Sequence, residues 1–281
     1  MSQTGDAGHG AFPLKQHLGM TLKGDEPGVA TADPHPLSAT RLTPIGRWWL
    51  RNRWEELAFV HWAYEPEVVQ WMLPDGLTAD THDGMAYVSL ISFRMADAAP
   101  RFVPAVPWVS TFAETNVRTY VVDSAGNRAI WFFSLEADRL PIVAFARWLL
   151  GFPYVWGDLS IEESVVDGRD RRRYVTTRRR WPRRPESTTD LTIEIGDPIT
   201  EPSELDVFLT ARWGTVAEWP RGSGTLRHHP VDHPEWHLHE ATLVDYGDTS
   251  IEAARFPPPI GDPIVRWSKQ TEARFARPTR V

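Results

Sequence analysis

Glu114, Asn116 and Arg118 stand at alternate positions of the run FAETNVRTYV. A carboxylate, an amide and a guanidinium at that spacing project from one side of an extended strand. Phe112 and Tyr120 continue the same face, while Ala113, Thr115, Val117, Thr119 and Val121 share the other. Inside a cavity such a row orients a small polar ligand: the guanidinium holds a carboxylate or enolate, and the carboxyl group gives or takes a proton. On a sheet with one solvated side the same row meets water over a small apolar core. Arg178, which shares a strand face with Tyr174 and Thr176, is a second candidate anchor. Trp131, on the strand returning from the turn at Asp123 to Asn127, is a candidate aromatic wall.

Other chemistry is thinner. Five of the ten histidines fall in HHPVDHPEWHLH, residues 228–239, where His237 and His239 would share a strand face at a spacing that can chelate Zn, Fe or Ni. Pro230 and Pro234 break that segment and no carboxylate follows at a characteristic distance, so these are weak candidates, no metal is expected, and a hairpin loop with partly exposed imidazoles is the plainer reading. His61, among the aromatics of FVHWAY, reads as a satisfied core histidine. The only lysines are Lys15, Lys23 and Lys269, and the first two lie in an N-terminal stretch unsuited to a desolvated catalytic amine. With no cysteine there is no thiolate nucleophile, disulfide or Cys-ligated metal. Absence of GxSxG, HExxH and GxGxxG sets aside the common hydrolase, zinc-protease and dinucleotide readings, and no cofactor is implied.

The elements that must hold these residues are mostly strands. Period-two alternation predicts strands over Thr111–Val122 and Arg128–Glu136, joined as a hairpin through Gly126. Asp138 is placed to cap a helix running to Leu150, with Pro141 in its first turn and Gly151 and Pro153 ending it. Arg147 in that helix reads as a residue snorkelling to the surface. Upstream, Arg53–Tyr64 and Gly84–Arg94 read as strands around a short helix beginning at Pro66. Downstream, strands are expected near 157–166, 171–181, 188–195, 213–219, 225–229 and 264–274, with a capping box at Ser203 and Asp206 opening a short helix.

The chain of 281 residues has 42% hydrophobic and 24% charged residues and a formal net charge of -7, ordinary for a globular protein and unlike a general polyanion binder. Nine arginines between Arg169 and Arg184 invite a nucleic-acid reading, but acidic residues flank them and no stacking module accompanies them, so no nucleic-acid partner is expected. No signal pattern or membrane-spanning apolar run is present, which makes the cytoplasm the default location and a membrane no partner. The 14 tryptophans suit core packing, an aromatic-walled cavity, or a homodimer interface. Residues 1–44 mix Gly, Pro, Asp and Thr without apolar periodicity and read as a flexible or surface-wrapping extension ahead of a folded domain over 45–281.

The succession FVHWAY, LPDGL, FAETNVRTYV, WFFSLEAD, ARWLLGFPY, YVTTR and HPEWHL, spread from Trp54 to Trp267, resembles the YqjF-like family of uncharacterised bacterial proteins, within the acetoacetate decarboxylase-like superfamily. The resemblance implies a β-rich α+β fold: a single antiparallel, closed or cone-shaped β-barrel with a few short helices and a central cavity. It also offers a comparison at the level of residues. Acetoacetate decarboxylases carry a Schiff-base lysine after the proline of a helix-ending sequence similar to GFPY and a catalytic glutamate on a strand similar to FAETNV. Glu114 matches the glutamate, whereas Tyr154, followed by Val155, stands where the lysine is expected, and Ser89 lies near the position of a second carboxylate. A phenol forms no imine, so imine-based decarboxylation does not transfer. What remains is a binding protein for a small oxygen-bearing organic molecule, or a lyase, isomerase or hydrolase in which Glu114 is acid or base and Tyr154 donates a hydrogen bond.

Overall fold

The structure, a computed structural model, describes residues 32–179 and 181–281. Its strands are β1 (Trp48–Tyr64), β2 (Leu77–Ala79), β3 (Ala86–Pro100), β4 (Phe112–Asp123), β5 (Arg128–Ala137), β6 (Tyr154–Val166), β7 (Arg169–Arg178), β8 (Thr188–Pro198), β9 (Gly214–Glu218), β10 (Leu226–Asp232), β11 (Leu238–Asp248), β12 (Ile264–Ala276) and β13 (Thr279–Arg280). The helices are short: α1 (Pro66–Trp71), α2 (Leu140–Phe145), α3 (Glu204–Thr210) and α4 (Ser250–Ala253). Ser203 and Asp206 form the expected reciprocal capping box on α3.

All thirteen strands join one sheet that curves in a ring. The order of pairing returns on itself in two circuits. One runs β5, β6, β7, β8, β11, β12, β1, β3, β4 and back to β5; the other runs β9, β5, β4, β3, β1, β12, β10 and back to β9. The strands β1, β3, β4, β5 and β12 belong to both, so they form a wall with an interior on each side. Alternation along this wall sorts its side chains between the two interiors. Ala58, Val60, Val88, Leu90 and Val117 pack with Tyr174, Leu191 and Ile193 on one side. Phe59, Ile91 and Phe93 pack with Leu135, Tyr154 and Trp236 on the other.

Pairing is mixed, which corrects the expectation of an all-antiparallel sheet. β5 runs parallel to β6 (Leu135 opposite Tyr154) and to β9 (Ile130 opposite Thr215). The connection carrying α2 returns the chain across the sheet before β6 begins, as a parallel neighbour requires. That helix also starts later than the sequence suggests. Asp138 does not cap it, because its carboxylate accepts from the Ala113 amide at 3.2 Å and pairs with Arg139. After Phe145 the turn widens to a π-type stretch over Ala146–Leu150, closed by Gly151 at φ +81°. A Cβ at Gly151 would sit 2.4 Å from the Glu218 carbonyl oxygen, so glycine is required there for both conformation and space.

Bulges set which residues face which interior. In β5 the register against β4 shifts between Val117 and Arg118, so Phe132 and Ser134 oppose consecutive residues and Phe133 is the extra one. Parity changes there. Ile130, Phe132 and then Leu135 face one interior, while Glu136 faces the other and meets Arg178 from β7. A similar shift in β1 between Glu55 and Ala58 includes Glu56 at φ +53°.

The segment 32–44, part of the extension anticipated from the sequence, has no helix or strand but is bonded to the sheet: Arg41 donates to the carbonyls of Trp213 (2.5 Å) and Val231 (2.7 Å). The first 31 residues, with Lys15 and Lys23, lie outside the described residues.

Glu136 and Arg178 are both fully enclosed, and the Arg178 Nε donates to Glu136 at 2.9 Å while its Nη1 donates to the Pro185 carbonyl. Removing one partner strands the other charge. Arg178→Met is therefore expected to lower unfolding free energy by about 3–5 kcal/mol in urea titrations, with much of that recovered in Glu136→Leu/Arg178→Met.

Candidate functional site

The interior bounded by β9 and β10 is not filled. A cavity of about 110 Å³ is lined by apolar and aromatic side chains, among them Trp54, Phe59, Phe132, Phe152 and Trp236, and by Glu114, Asn116, Arg118, Tyr154, Arg212 and Thr215 as its polar members. The row anticipated on β4 therefore faces this space rather than bulk water: Glu114, Asn116 and Arg118 are all buried.

Tyr154, the first residue of β6, reaches the row because the parallel β5–β6 pairing places it opposite Leu135, which is itself opposite Asn116. Its hydroxyl donates to Glu114 Oε2 at 2.6 Å, and Asn116 Nδ2 donates to Oε1 at 3.2 Å. Two donors on a carboxyl favour its ionised form, but burial outweighs them. The Glu114 pKa is pushed up to about 7, mainly by desolvation and further by the charge of Glu136, against the opposing pull of Tyr154, Asn116 and Arg118. Burial and the Glu114 charge push the Tyr154 phenol well above its usual value. The pair therefore shares a proton-poised carboxyl and a phenol that stays protonated.

Arg118 has no hydrogen-bond or ion-pair partner among the described residues, and its buried Nε is unsatisfied. Its guanidinium lies 6.0 Å from the Phe59 ring centroid and 5.8 Å from that of Tyr120. Aromatic faces offset part of the desolvation cost of a guanidinium. An unpaired buried charge still costs on the order of a few kcal/mol, which an arriving anion would offset.

Two residues expected near this group are elsewhere. Arg178 is enclosed in the other interior, committed to Glu136. Trp131 precedes the β5 bulge on the opposite parity from Phe132 and packs beside Val121, Val216 and Leu226. His237 is exposed, and His239 sits half-buried against Trp267 with its Nδ1 near the Gly196 carbonyl. Among the described residues no group of three or more His, Asp or Glu side chains is disposed to hold a metal ion. The imidazoles of 228–239 are also less exposed than expected, since His229 and His233 are buried and burial lowers each pKa to about 4. His233 lies between the rings of Trp213 and Trp236, at 4.4 and 4.9 Å.

His61 departs from a satisfied core histidine. Its Nδ1 meets Ser89 Oγ at 2.7 Å and the Tyr120 hydroxyl at 3.3 Å, yet its Nε2 has no partner. Burial and nearby Arg118 and Arg266 keep it neutral by lowering its pKa well below the usual value.

An aromatic-walled cavity was anticipated, but not the particular aromatic residues from β1 and the 233–236 loop, nor Arg212 after α3. A lone arginine inside the apolar stretch FLTARWGTVA was the available signal for Arg212. Lys269, the one lysine among the described residues, is exposed on β12 and does not line the cavity. No helix of the described residues is long and apolar enough to cross a membrane.

Comparison with known proteins gives the family and the fold. The model of DUF2071, a family of uncharacterized conserved proteins, matches residues 51–272. The uncharacterized protein YqjF of Bacillus subtilis (strain 168) is 28% identical over 236 residues, covering 83% of this chain and 92% of that one. Solved structures share the fold at low identity. An acetoacetate decarboxylase-like enzyme from Sphingomonas wittichii RW1 superposes with a TM-score of 0.58 at 16% identity, over 90% of this chain and 100% of that one. The enduracididine biosynthesis enzyme MppR, complexed with pyruvate, gives 0.57 at 13% identity over 85% and 91%. An acetoacetate decarboxylase gives 0.55 at 14% identity over 85% and 92%.

Because the folded-state pKa of Glu114 lies above its ordinary 4.5, this residue favours folding fully below about pH 4.5, and that contribution is lost as pH rises through about 7. The wild type should therefore lose stability relative to Glu114→Gln across that window, by on the order of 3 kcal/mol, measured as paired urea midpoints at several pH values. Tyr154→Phe removes a donor to the ionised form and should move the midpoint of the wild-type profile to higher pH.

Proposed function

Since the chain belongs to the DUF2071 family and shares its fold with acetoacetate decarboxylase-like enzymes, we propose that its sheet closes as a β-barrel whose cavity binds a small oxygen-bearing organic acid. The observation that carries this reading is Arg118, a buried guanidinium without a partner among the described residues, in a cavity whose other walls are mostly apolar. A carboxylate is the natural complement: it pairs with the fork of donors and removes the cost of the bare charge. Glu114 and Tyr154 then face a second oxygen function of the ligand, and the aromatic walls cover its carbon skeleton. That MppR was solved with pyruvate, a small carboxylate, is consistent with this class.

Imine chemistry has no support in this cavity, since among the described residues no lysine lines it and the Tyr154 oxygen cannot form an imine with a carbonyl. A second reading, turnover by acid–base catalysis, is favoured by one observation: a carboxyl with a pKa of about 7 is poised to exchange a proton near neutral pH.

Native mass spectrometry of the freshly purified full chain tests the binding reading. A retained small acid, recovered unchanged, supports binding, and recovery of a converted product supports turnover. Retention of a neutral hydrocarbon, or of nothing across a panel of added short-chain acids, overturns both. Arg118→Met should weaken acid binding by about ten- to a hundredfold, matching the roughly 1.5–3 kcal/mol of a hydrogen bond to a charged group. The same variant should raise the stability of the ligand-free protein by about 1–3 kcal/mol, because it replaces an unpaired charge with apolar volume.

A further inference from the structure

Arg212, which follows α3, is the second guanidinium of the cavity, and its side chain is fully enclosed. It stacks over two rings, 4.7 Å from the Tyr120 centroid and 4.4 Å from that of Phe208. Only one of its nitrogens has a partner: Nη1 donates to Asp80 Oδ2 at 2.5 Å, while Nε and Nη2 are buried and unsatisfied. Asp80 is also shared. Arg128 Nη1 donates to both of its oxygens, at 2.8 and 2.9 Å. One carboxylate thus serves two guanidiniums, while Arg118, 5.8 Å from the same Tyr120 centroid, pairs with no carboxylate among the described residues.

Positive charge is therefore left over here. Asp80 is divided between Arg212 and Arg128, Arg118 is unpaired among the described residues, and Glu114 does not compensate Arg118 while it holds its proton. The two with free donor atoms, Arg118 and Arg212, both line the cavity and both lie beside Tyr120. Apolar residues, including Phe59, Ile130 and Phe132, line the same space and suit a short methylene chain.

Resting on the reading above that the cavity takes an organic acid, we propose that Arg118 and Arg212 are two halves of one site and that the ligand is a small dicarboxylate, one carboxylate to each guanidinium. Asp80 is then a positioning residue: it holds Nη1 of Arg212 and leaves Nε and Nη2 to the ligand. A dicarboxylate satisfies donors that a monocarboxylate leaves bare, and leaving buried donors unpaired is what makes a polar site selective.

The test is calorimetric titration of the full chain with succinate and glutarate against butanoate and pentanoate, with butanamide as the neutral control. The wild type should bind the dicarboxylates at least tenfold more tightly than monoacids of equal length and show no measurable binding of the amide. Arg212→Met should reduce the dicarboxylate affinity to that of the monoacid while leaving monoacid affinity within about threefold. Should that variant not fold, Arg212→Lys retains the charge beside Asp80 but loses the forked donors, and should lose at least half of the dicarboxylate preference. Monoacids binding as tightly as dicarboxylates, or an unchanged preference in the Arg212 variants, overturns the two-arginine site and leaves the organic-acid reading standing. No binding of any acid by the wild type overturns both.

Discussion

A strand can carry a carboxyl, an amide and a guanidinium out of water only if both of its faces are enclosed, and the shared wall imposes that condition here. β4 has neighbours β3 and β5 in both circuits of the sheet, so neither of its faces is solvated and alternation decides which interior each side chain enters. Thr115 and Val117 go to the filled side, where Thr115 bonds Ser92 and Thr176 at 3.0 and 2.8 Å. Glu114, Asn116 and Arg118 go to the hollow side. A one-residue slip would exchange the two sets, placing Val117 in the cavity and three polar groups in a packed core. The bulge opposite Arg118 protects this sorting, because it lets β5 present apolar walls to the cavity and Glu136 to the other interior.

The two interiors handle buried charge in opposite ways. In the filled one the buried arginines among the described residues have acidic partners: Arg178 with Glu136, and Arg172 with Glu56 at 2.6 Å. Close packing there makes an unmatched charge costly. In the hollow one Arg118 is unmatched and Arg212 is matched at one nitrogen. Folding free energy is small compared with the cost of several such groups, and on the proposed reading an acid bound there offsets that cost.

Much of the fold was legible because hydrophobic period and turn chemistry are local. The hairpin through Gly126, the capping box at Ser203 and the helix stop at Gly151 are each written in a few residues. The row Glu114, Asn116 and Arg118 was legible for the same reason, since period two fixes it on one face. What was not legible depends on long-range pairing. The parallel entry of β6 beside β5 is a property of the crossover, and the change of parity that removes Trp131 from the cavity is a property of a single extra residue, Phe133. Arg178 shows the same limit. It was a candidate anchor for a ligand, but the sequence does not say which interior its face enters or that Glu136 waits there.

Tyr154 bears most directly on what the cavity can do. The family resemblance places a lysine at this position in imine-forming relatives, and an ammonium 2.6 Å from Glu114 would hold that carboxyl ionised and its pKa low. A phenol in the same place donates a hydrogen bond but brings no charge, so desolvation prevails and the carboxyl titrates near neutrality. A phenol here therefore leaves Glu114 a group whose proton is available, and Arg118 a cation without an ion-pair partner among the described residues, facing the same space. An acid entering that space would be drawn by Arg118 and would meet a neutral Glu114 that can donate to it rather than repel it. On the proposed reading, affinity then falls as pH rises through about 7, because the ionised Glu114 would oppose the ligand's own charge. A pH series of succinate titrations separates this from a fixed-anion site, for which affinity would be flat across the same range.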